Sequence, residues 1–176
     1  MKKLHFQTIA STHLYAKENL PNFQDDPITV ITTDFQTAGI GSRLDKWIAP
    51  ENSSLLLTFV SPTPSKEFHP HLANICALSL IKTLFFLKID IGFKYPNDLM
   101  VNGRKLAGFL VEICENQCIC SFGLNLLQTE KELECIDQPA TSLLIETGKK
   151  IPSSKIIEPF LKEFFTQINL NMAALQ

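Results

Sequence analysis

The sequence has almost no excess of either charge: 16 Lys and Arg stand against 18 Asp and Glu, a formal net charge of −2. It contains no sustained basic block, so nucleic acid, whose phosphates call for a strongly basic face, is excluded as the main partner. No apolar run of signal-peptide length follows the two lysines of the N-terminal MKKLHFQTIASTH, and polar residues interrupt the later hydrophobic stretches before membrane-spanning length. A cytoplasmic protein with no membrane partner is expected. The five cysteines are odd in number and lack the regular spacing of a secreted disulfide framework, which points to reduced thiols in a reducing compartment. Cys114, Cys118, Cys120 and Cys135 form no paired Cys-x-x-Cys pattern, so no zinc is expected and the alternating cysteines read as small hydrophobes. Internal repeats, low-complexity tracts and domain-length linkers are also lacking.

What remains is the profile of one globular domain over residues 1–176, 45% apolar and 19% charged, long enough to bury roughly 70% of its unfolded surface. Ser11 or Thr12 can cap a helix through Leu14, Tyr15 and Ala16, with Pro21 stopping it at Leu20. Residues 28–33, Ile-Thr-Val-Ile-Thr-Thr, read as a strand, and 53–60 as a buried one. Between them, Gln36 to Asn52 reads as a long ordered loop. Leu72, Ile75, Cys76, Ser79, Leu80, Thr83 and Leu84 recur at three and four and predict a helix over 70–88. Strands follow at 89–95, 99–101, 106–114 and 118–126, with Asn102-Gly103 a strong hairpin turn and Glu115-Asn116-Gln117 a second. Residues 128–139 read as an irregular connection, 140–147 as a helix closed by Gly148, and 156–168 as a helix that Pro159 would start. His13 reads as a solvent-facing helix residue. Phe85-Phe86 and Phe164-Phe165 fit helix faces packed on the sheet. Hairpin-joined strands and interspersed helices imply an α+β fold: a mixed, mostly antiparallel sheet with helices mostly on one face.

Two segments carry chemistry. Lys94-Tyr95-Pro96-Asn97-Asp98 and Arg104-Lys105-Leu106-Ala107-Gly108 lie on two arms of one tight hairpin. There Asp98 and Asn97 offer hard oxygen ligands suited to Mg²⁺, Lys105 offers a point charge, and Gly108 allows close backbone approach. The alternative is two turn signals on a solvated hairpin. The second segment, Gln36 to Trp47, spaces Gly39 and Gly41 so that backbone N–H groups can face an anion, with Arg43 and Lys46 adding charge. It lacks the Gly-Lys-Ser/Thr of a Walker motif and the third glycine of a dinucleotide fingerprint. A surface loop pinned by Trp47 is the alternative here.

Together these segments resemble the biotin protein ligases. Lys94-Tyr95-Pro96-Asn97-Asp98 is similar to that family's K-W-P-N-D, and Arg104 to Gly108 to its [RK]-K-[LV]-[AC]-G. Thr37 to Trp47 aligns without gaps on T-A-G-R-G-R-R-G-R-K-W, while Ser11-Thr12 falls where the family has S-T-N, and Gly123-Leu124-Asn125 where it has G-I-N. The likeness runs from about residue 4 to 168. It implies a fold shared with lipoate ligases and related to class II aminoacyl-tRNA synthetases, and a two-step reaction. ATP and biotin give biotinyl-5′-adenylate and pyrophosphate, and the amine of a lysine on a biotin carrier domain then attacks the mixed anhydride. By the same resemblance Ser11, Thr12, Gln36, Gly39 and Gly108 would bind biotin, and Lys105 would hold its carboxylate and then the adenylate, with Arg43 as the second catalytic residue. Arg43, Trp47, Lys94, Asn97 and Asn125 would bind ATP and adenylate, and Asp98 and Asn125 would hold Mg²⁺. Biotin, the carrier domain and, as a permitted assembly, a second copy of the chain are the implied partners.

The departures carry information of their own. Ile40, Ser42 and Asp45 stand where the family has arginines, and Leu44 where it has a glycine, so weaker retention of phosphate and adenylate is expected. No helix-turn-helix precedes the catalytic segment and no small C-terminal β-barrel follows it, which reads as a ligase without repressor function. A lipoate or octanoate transferase on the same fold and a non-catalytic biotin- or carrier-binding protein are the rival readings.

Overall fold

The computed structural model describes residues 1–42 and 46–173. Its elements run β1 (Lys2–Ile9), α1 (Thr12–Glu18), β2 (Thr29–Gln36), β3 (Ser54–Pro62), α2 (Leu72–Leu84), β4 (Gly92–Lys94), β5 (Asp98–Val101), β6 (Arg104–Cys114), β7 (Gln117–Asn125), α3 (Glu130–Leu133), α4 (Leu143–Thr147) and α5 (Ser154–Ala173). Among the described residues, seven strands form one sheet in the order β1-β2-β3-β7-β6-β5-β4. Strands β1 and β2 pair in parallel through the α1 crossover, and every other pairing is antiparallel. The expected mixed, mostly antiparallel α+β sheet is therefore observed.

Side-chain alternation on the central strands divides the labour between the two faces. Leu55, Leu57 and Phe59 of β3, with Cys118, Cys120, Phe122 and Leu124 of β7, point to one side and form the main core with α2 and α5. Phe59 and Phe122 meet Phe160 and Phe164 of α5 edge-on, at centroid distances from 4.8 to 6.0 Å. The other side is packed at one end, where Ile31, Val60 and Ile119 receive Ala16 of α1 with Leu20 and Phe23 just beyond it. Further along, the same face carries Thr58, Ser121, Gly123, Asn125 and Gly108 between Leu56 and Leu110, and the small side chains leave space above them. Helix α1 thus covers the face opposite α2 and α5, where the sequence predicts helices mostly on one side.

Several boundaries differ from expectation. Strand β1 has no counterpart in the sequence reading, because an edge strand with half-exposed faces shows only a weak apolar alternation. The helix expected over 70–88 divides into a 3-10 turn (Lys66–His71), α2 and a second 3-10 turn (Phe85–Leu87), and Lys88 in the left-handed region ends it. That change of helical pitch turns Phe85 and Phe86 outward, 81% and 51% exposed, instead of onto the sheet. The run Lys66–Leu87 is long and apolar enough by composition to cross a bilayer, contrary to the sequence expectation, yet Leu72, Ile75, Leu80 and Leu84 are buried in the core. The strand expected over 89–95 shrinks to three residues. Helix α5 starts before Pro159 and runs through it; the hydrogen bond lost there falls on an exposed side of the helix, where water can replace it. Within 128–139, Thr129 and Glu132 form a capping box that starts the short α3.

Candidate functional site

The small side chains on the second face leave a cavity of about 580 Å³ between α1, the end of β2, the loop after it and strands β3, β7 and β6. Its inner end is built from hydrogen-bonding side chains. Ser11 caps α1 by accepting from the Leu14 N–H, which places Thr12 and His13 in the first turn facing the sheet, both buried. Strand β2 extends to Gln36, beyond its expected end at 33, and so holds that amide on a rigid element. Gln36 Oε1 accepts from the Thr12 N–H at 2.8 Å and from Thr12 Oγ1 at 3.0 Å. Thr12 Oγ1 in turn accepts from Thr58 Oγ1 at 2.9 Å. Thr58 Oγ1 and Ser121 Oγ are 2.8 Å apart, and Ser121 Oγ lies 2.7 Å from His13 Nδ1.

His13 corrects the sequence reading. It is 2% exposed, because the turn carrying it meets a sheet surface that is itself polar. Its Nε2 stands 3.6 Å from Glu112 Oε2, which also receives Lys17 Nζ at 2.7 Å. Burial lowers the His13 pKa below its ordinary value, with Glu112 opposing that shift. The hydrogen bond from Lys17 holds the Glu112 carboxyl below the usual range.

The outer end of the cavity is built on the β5–β6 hairpin. Asn102 and Gly103, both at positive φ, make the expected two-residue turn. An extra β6 residue between the Leu99–Ala107 and Met100–Lys105 pairs forms a bulge, a device that re-aims side chains. Lys105 Nζ stands 2.9 Å from Asp98 Oδ1 and 5.7 Å from the centre of the Trp47 ring. The Lys105 and Asp98 side chains, largely buried, form an ion pair. The Lys105 backbone is clamped by Pro139 and Thr141, its N–H donating to one and its carbonyl accepting from the other. Arg104 holds that segment through Glu146 at 2.7 Å, and Glu146 also accepts from Thr141 Oγ1.

Trp47 ties the loop to the sheet. Its backbone N–H donates to the Gly39 carbonyl at 2.9 Å, and its indole covers the paired residues Gly108 and Gly123. A Cβ on Gly123 would collide with the indole, and one on Gly39 would collide with the Trp47 carbonyl and crowd the Gln36 amide. Close approach therefore requires both glycines.

Of the expected site residues, Ser11, Thr12, Gln36 and Trp47 line the cavity, as do Asn97, Lys105, Gly108 and Asn125. Gly39 backs Gln36. Asn97 donates to Ser42 Oγ and to the Phe109 carbonyl, both at 2.9 Å, and so fastens the glycine loop to β6. Asn125 is occupied within the protein: its Oδ1 accepts from Gln128 and its Nδ2 donates to the Thr141 carbonyl, both at 2.9 Å. Lys94, exposed on β4, and Asp98, its partner in the sheet, are not among the lining residues. Arg43, Leu44 and Asp45 lie outside the described residues. Sequence reasoning missed Ser121 and the rim residues 135–138, which line the cavity, and Thr58, which supports Thr12 from behind. The signal for Ser121 was available in the alternation Ile119, Ser121, Gly123, Asn125, which strips one face of β7 of bulk.

The model of the Biotin/lipoate A/B protein ligase family matches residues 5–122. The bifunctional ligase/repressor BirA of Bacillus spizizenii is 25% identical over 166 residues, covering 90% of this chain and 51% of that protein. The biotin–[acetyl-CoA-carboxylase] ligase of Mycobacterium tuberculosis is 29% identical over 146 residues, 79% of this chain and 53% of its own. The chain thus spans about half the length of these relatives. Among solved structures, the biotin protein ligase of Aquifex aeolicus in complex with biotin and ATP superposes with a TM-score of 0.81 at 26% identity, over 96% of this chain and 70% of that one.

Proposed function

The chain belongs to the biotin/lipoate A/B protein ligase family, and from that membership we propose that it attaches biotin to a lysine of a biotin carrier domain, using ATP and passing through biotinyl-5′-adenylate. The observation that carries the reading is one cavity with a hydroxyl–amide cluster, Thr12 and Gln36, at its inner end and the Lys105 ammonium beside a Gly108–Gly123 floor that the Trp47 indole covers. A ligand polar at both ends and slim between them matches that arrangement.

In this mechanism Ser11, Thr12 and Gln36 hydrogen-bond the ureido ring of biotin. Lys105 draws the carboxylate toward the α-phosphorus of ATP, the carboxylate oxygen forms the new P–O bond, and pyrophosphate leaves with the electrons of the bond broken. Lys105 then stands beside the acyl carbon as the carrier amine attacks it and AMP departs. Positioning and charge stabilisation suffice, because the adenylate is already activated toward an amine. Asn97 holds the glycine loop in place, Trp47 covers the bound adenylate, and Arg43, Lys94 and Lys46 supply charge to the phosphates.

Asp98 offers Mg²⁺ a carboxylate, one oxygen of which is ion-paired with Lys105 at 2.9 Å; Asn125 does not fit the ion, since its oxygen is already engaged. Asp98 would hold the ion; when bound, it neutralises phosphate charge. The proposed setting is the cytoplasm, with the carrier domain of a carboxylase as acceptor and a homodimer as the assembly to test.

The experiment is a streptavidin-blot time course with purified protein, Mg-ATP, biotin and a biotin carrier domain, beside Lys105→Ala and a lipoyl-domain acceptor. Transfer to the biotin carrier alone, lost in the variant, is expected. Absence of transfer while biotin still binds by calorimetry would overturn the reading in favour of a binding protein.

A further inference from the structure

The hydroxyl chain at the inner end of the cavity admits one arrangement of hydrogens. Gln36 Oε1 can only accept, so Thr12 Oγ1, 3.0 Å away, must donate to it. A hydroxyl has a single hydrogen; Thr12 therefore accepts from Thr58, and Thr58, its hydrogen spent, accepts from Ser121. The Ser121 hydrogen is then committed as well. His13 Nδ1, at 2.7 Å, must be the donor to Ser121 Oγ.

We propose that His13 is a positioning residue for ligand recognition: by donating from Nδ1 it fixes the direction of every hydrogen in the Ser121–Thr58–Thr12 chain and so keeps the Thr12 hydroxyl hydrogen on Gln36 Oε1, a second hydrogen bond holding the amide that the Thr12 backbone N–H already orients. Without a donor at position 13 the Ser121 hydrogen is free to turn away, Thr58 can follow it, and Thr12 loses its reason to donate to Gln36 Oε1. Gln36 Oε1 would then keep only the Thr12 backbone N–H as a donor, and one hydrogen bond in place of two would hold the amide toward the ligand. Three side chains separate His13 from Gln36, and each is buried, so water does not break the chain and each hydrogen bond polarises the next.

Nδ1 donates in the neutral Nδ1–H tautomer and in the imidazolium alike, so titration of His13 leaves the polarity intact. The charged groups facing the ring are Glu112 of β6, at 3.6 Å from Nε2, and Lys17 of α1, which is paired to that carboxylate. They act on Nε2, the nitrogen that the chain does not use.

Two measurements test the proposal; only the second rests on biotin being the ligand. In ligand-free, histidine-¹⁵N-labelled protein at neutral pH, with His13→Asn used to assign the signal, the His13 ring should carry its proton on Nδ1. An Nε2–H tautomer overturns the proposal whatever the ligand proves to be. In biotin calorimetry, His13→Leu should weaken binding about tenfold, the loss of one net hydrogen bond, while His13→Asn, which keeps an amide donor, stays within about threefold. Thr58→Val cuts the chain midway, so adding His13→Leu to it should weaken binding no further; additive losses would show independent effects and overturn the relay. If wild-type protein binds no biotin, the functional reading fails, and the tautomer still decides the polarity.

Discussion

The indole of Trp47 rests on Gly123: a Cβ at that position would fall within 2.7 Å of Nε1 and closer still to two ring carbons. A residue from the loop is thereby seated on the sheet floor that the proposed ligand would cross. Biotin entry should lift the ring. As Trp47 is the chain's only tryptophan, saturating biotin should shift its fluorescence emission, and an unchanged spectrum on demonstrated binding would show that the ring stays where it is. Gly123→Ala should displace the indole even without ligand and red-shift its emission toward that of an exposed tryptophan.

Lys105 and Asp98 should lose activity by different routes. Lys105→Ala removes the charge proposed to face the reacting carboxylate and should lower the rate of adenylate formation by roughly 10²–10³. Asp98→Asn should leave biotin affinity near wild type and raise the Mg²⁺ concentration needed for half-maximal rate. Pyrophosphate release measured across a Mg²⁺ series separates the two; equal Mg²⁺ requirements would remove Asp98 from the phosphate site.

Stability should fall on mild acidification. The His13 pKa is lowered in the fold from an ordinary 6.5, so below that value the unfolded chain takes up a proton that the folded chain refuses. The contribution is fully present above about pH 6.5 and is lost as pH falls toward the folded pKa. Urea midpoints between pH 5 and 7.5 should show this slope, and His13→Asn should flatten it. Glu112, held below its ordinary 4.5, contributes only at lower pH.

The glycine loop predicts a leaky intermediate. Ile40 and Ser42 stand where the resembling family carries arginines, and each restored charge-assisted hydrogen bond to phosphate contributes on the order of 1.5–3 kcal/mol. Ser42→Arg, with or without Ile40→Arg, should slow release of radiolabelled adenylate by about tenfold or more. Release as slow in the wild type as in the variants would remove the loop from adenylate retention.

Legibility in the sequence followed local chemistry. Asn102-Gly103 announces its turn because both residues must reach positive φ, and the stripe from Leu72 to Leu84 announces its helix because one uniformly apolar core receives it. His13 is unreadable by the same logic: an apolar-inside rule fails on a turn whose sheet partner is a serine. Strand β1 escapes because its residues gain burial from only one neighbouring strand. In the site, Ser11, Thr12, Gln36 and Lys105 stand out through motif spacing, whereas Thr58 and Ser121 emerge only when β3 and β7 are set side by side in register.

Strand β7 also works as a gauge. Its cavity-side marks fall every second residue: Ile119 apolar, Ser121 a hydroxyl, Gly123 bare backbone and Asn125 an amide. At about 3.3 Å per residue the interval from Ser121 to Asn125 is roughly 13 Å. A molecule laid along that interval would be gauged by thickness and not by length, since the polar marks at its two ends are engaged within the protein and one too thick at its middle would be stopped at Gly123 by backbone that cannot yield.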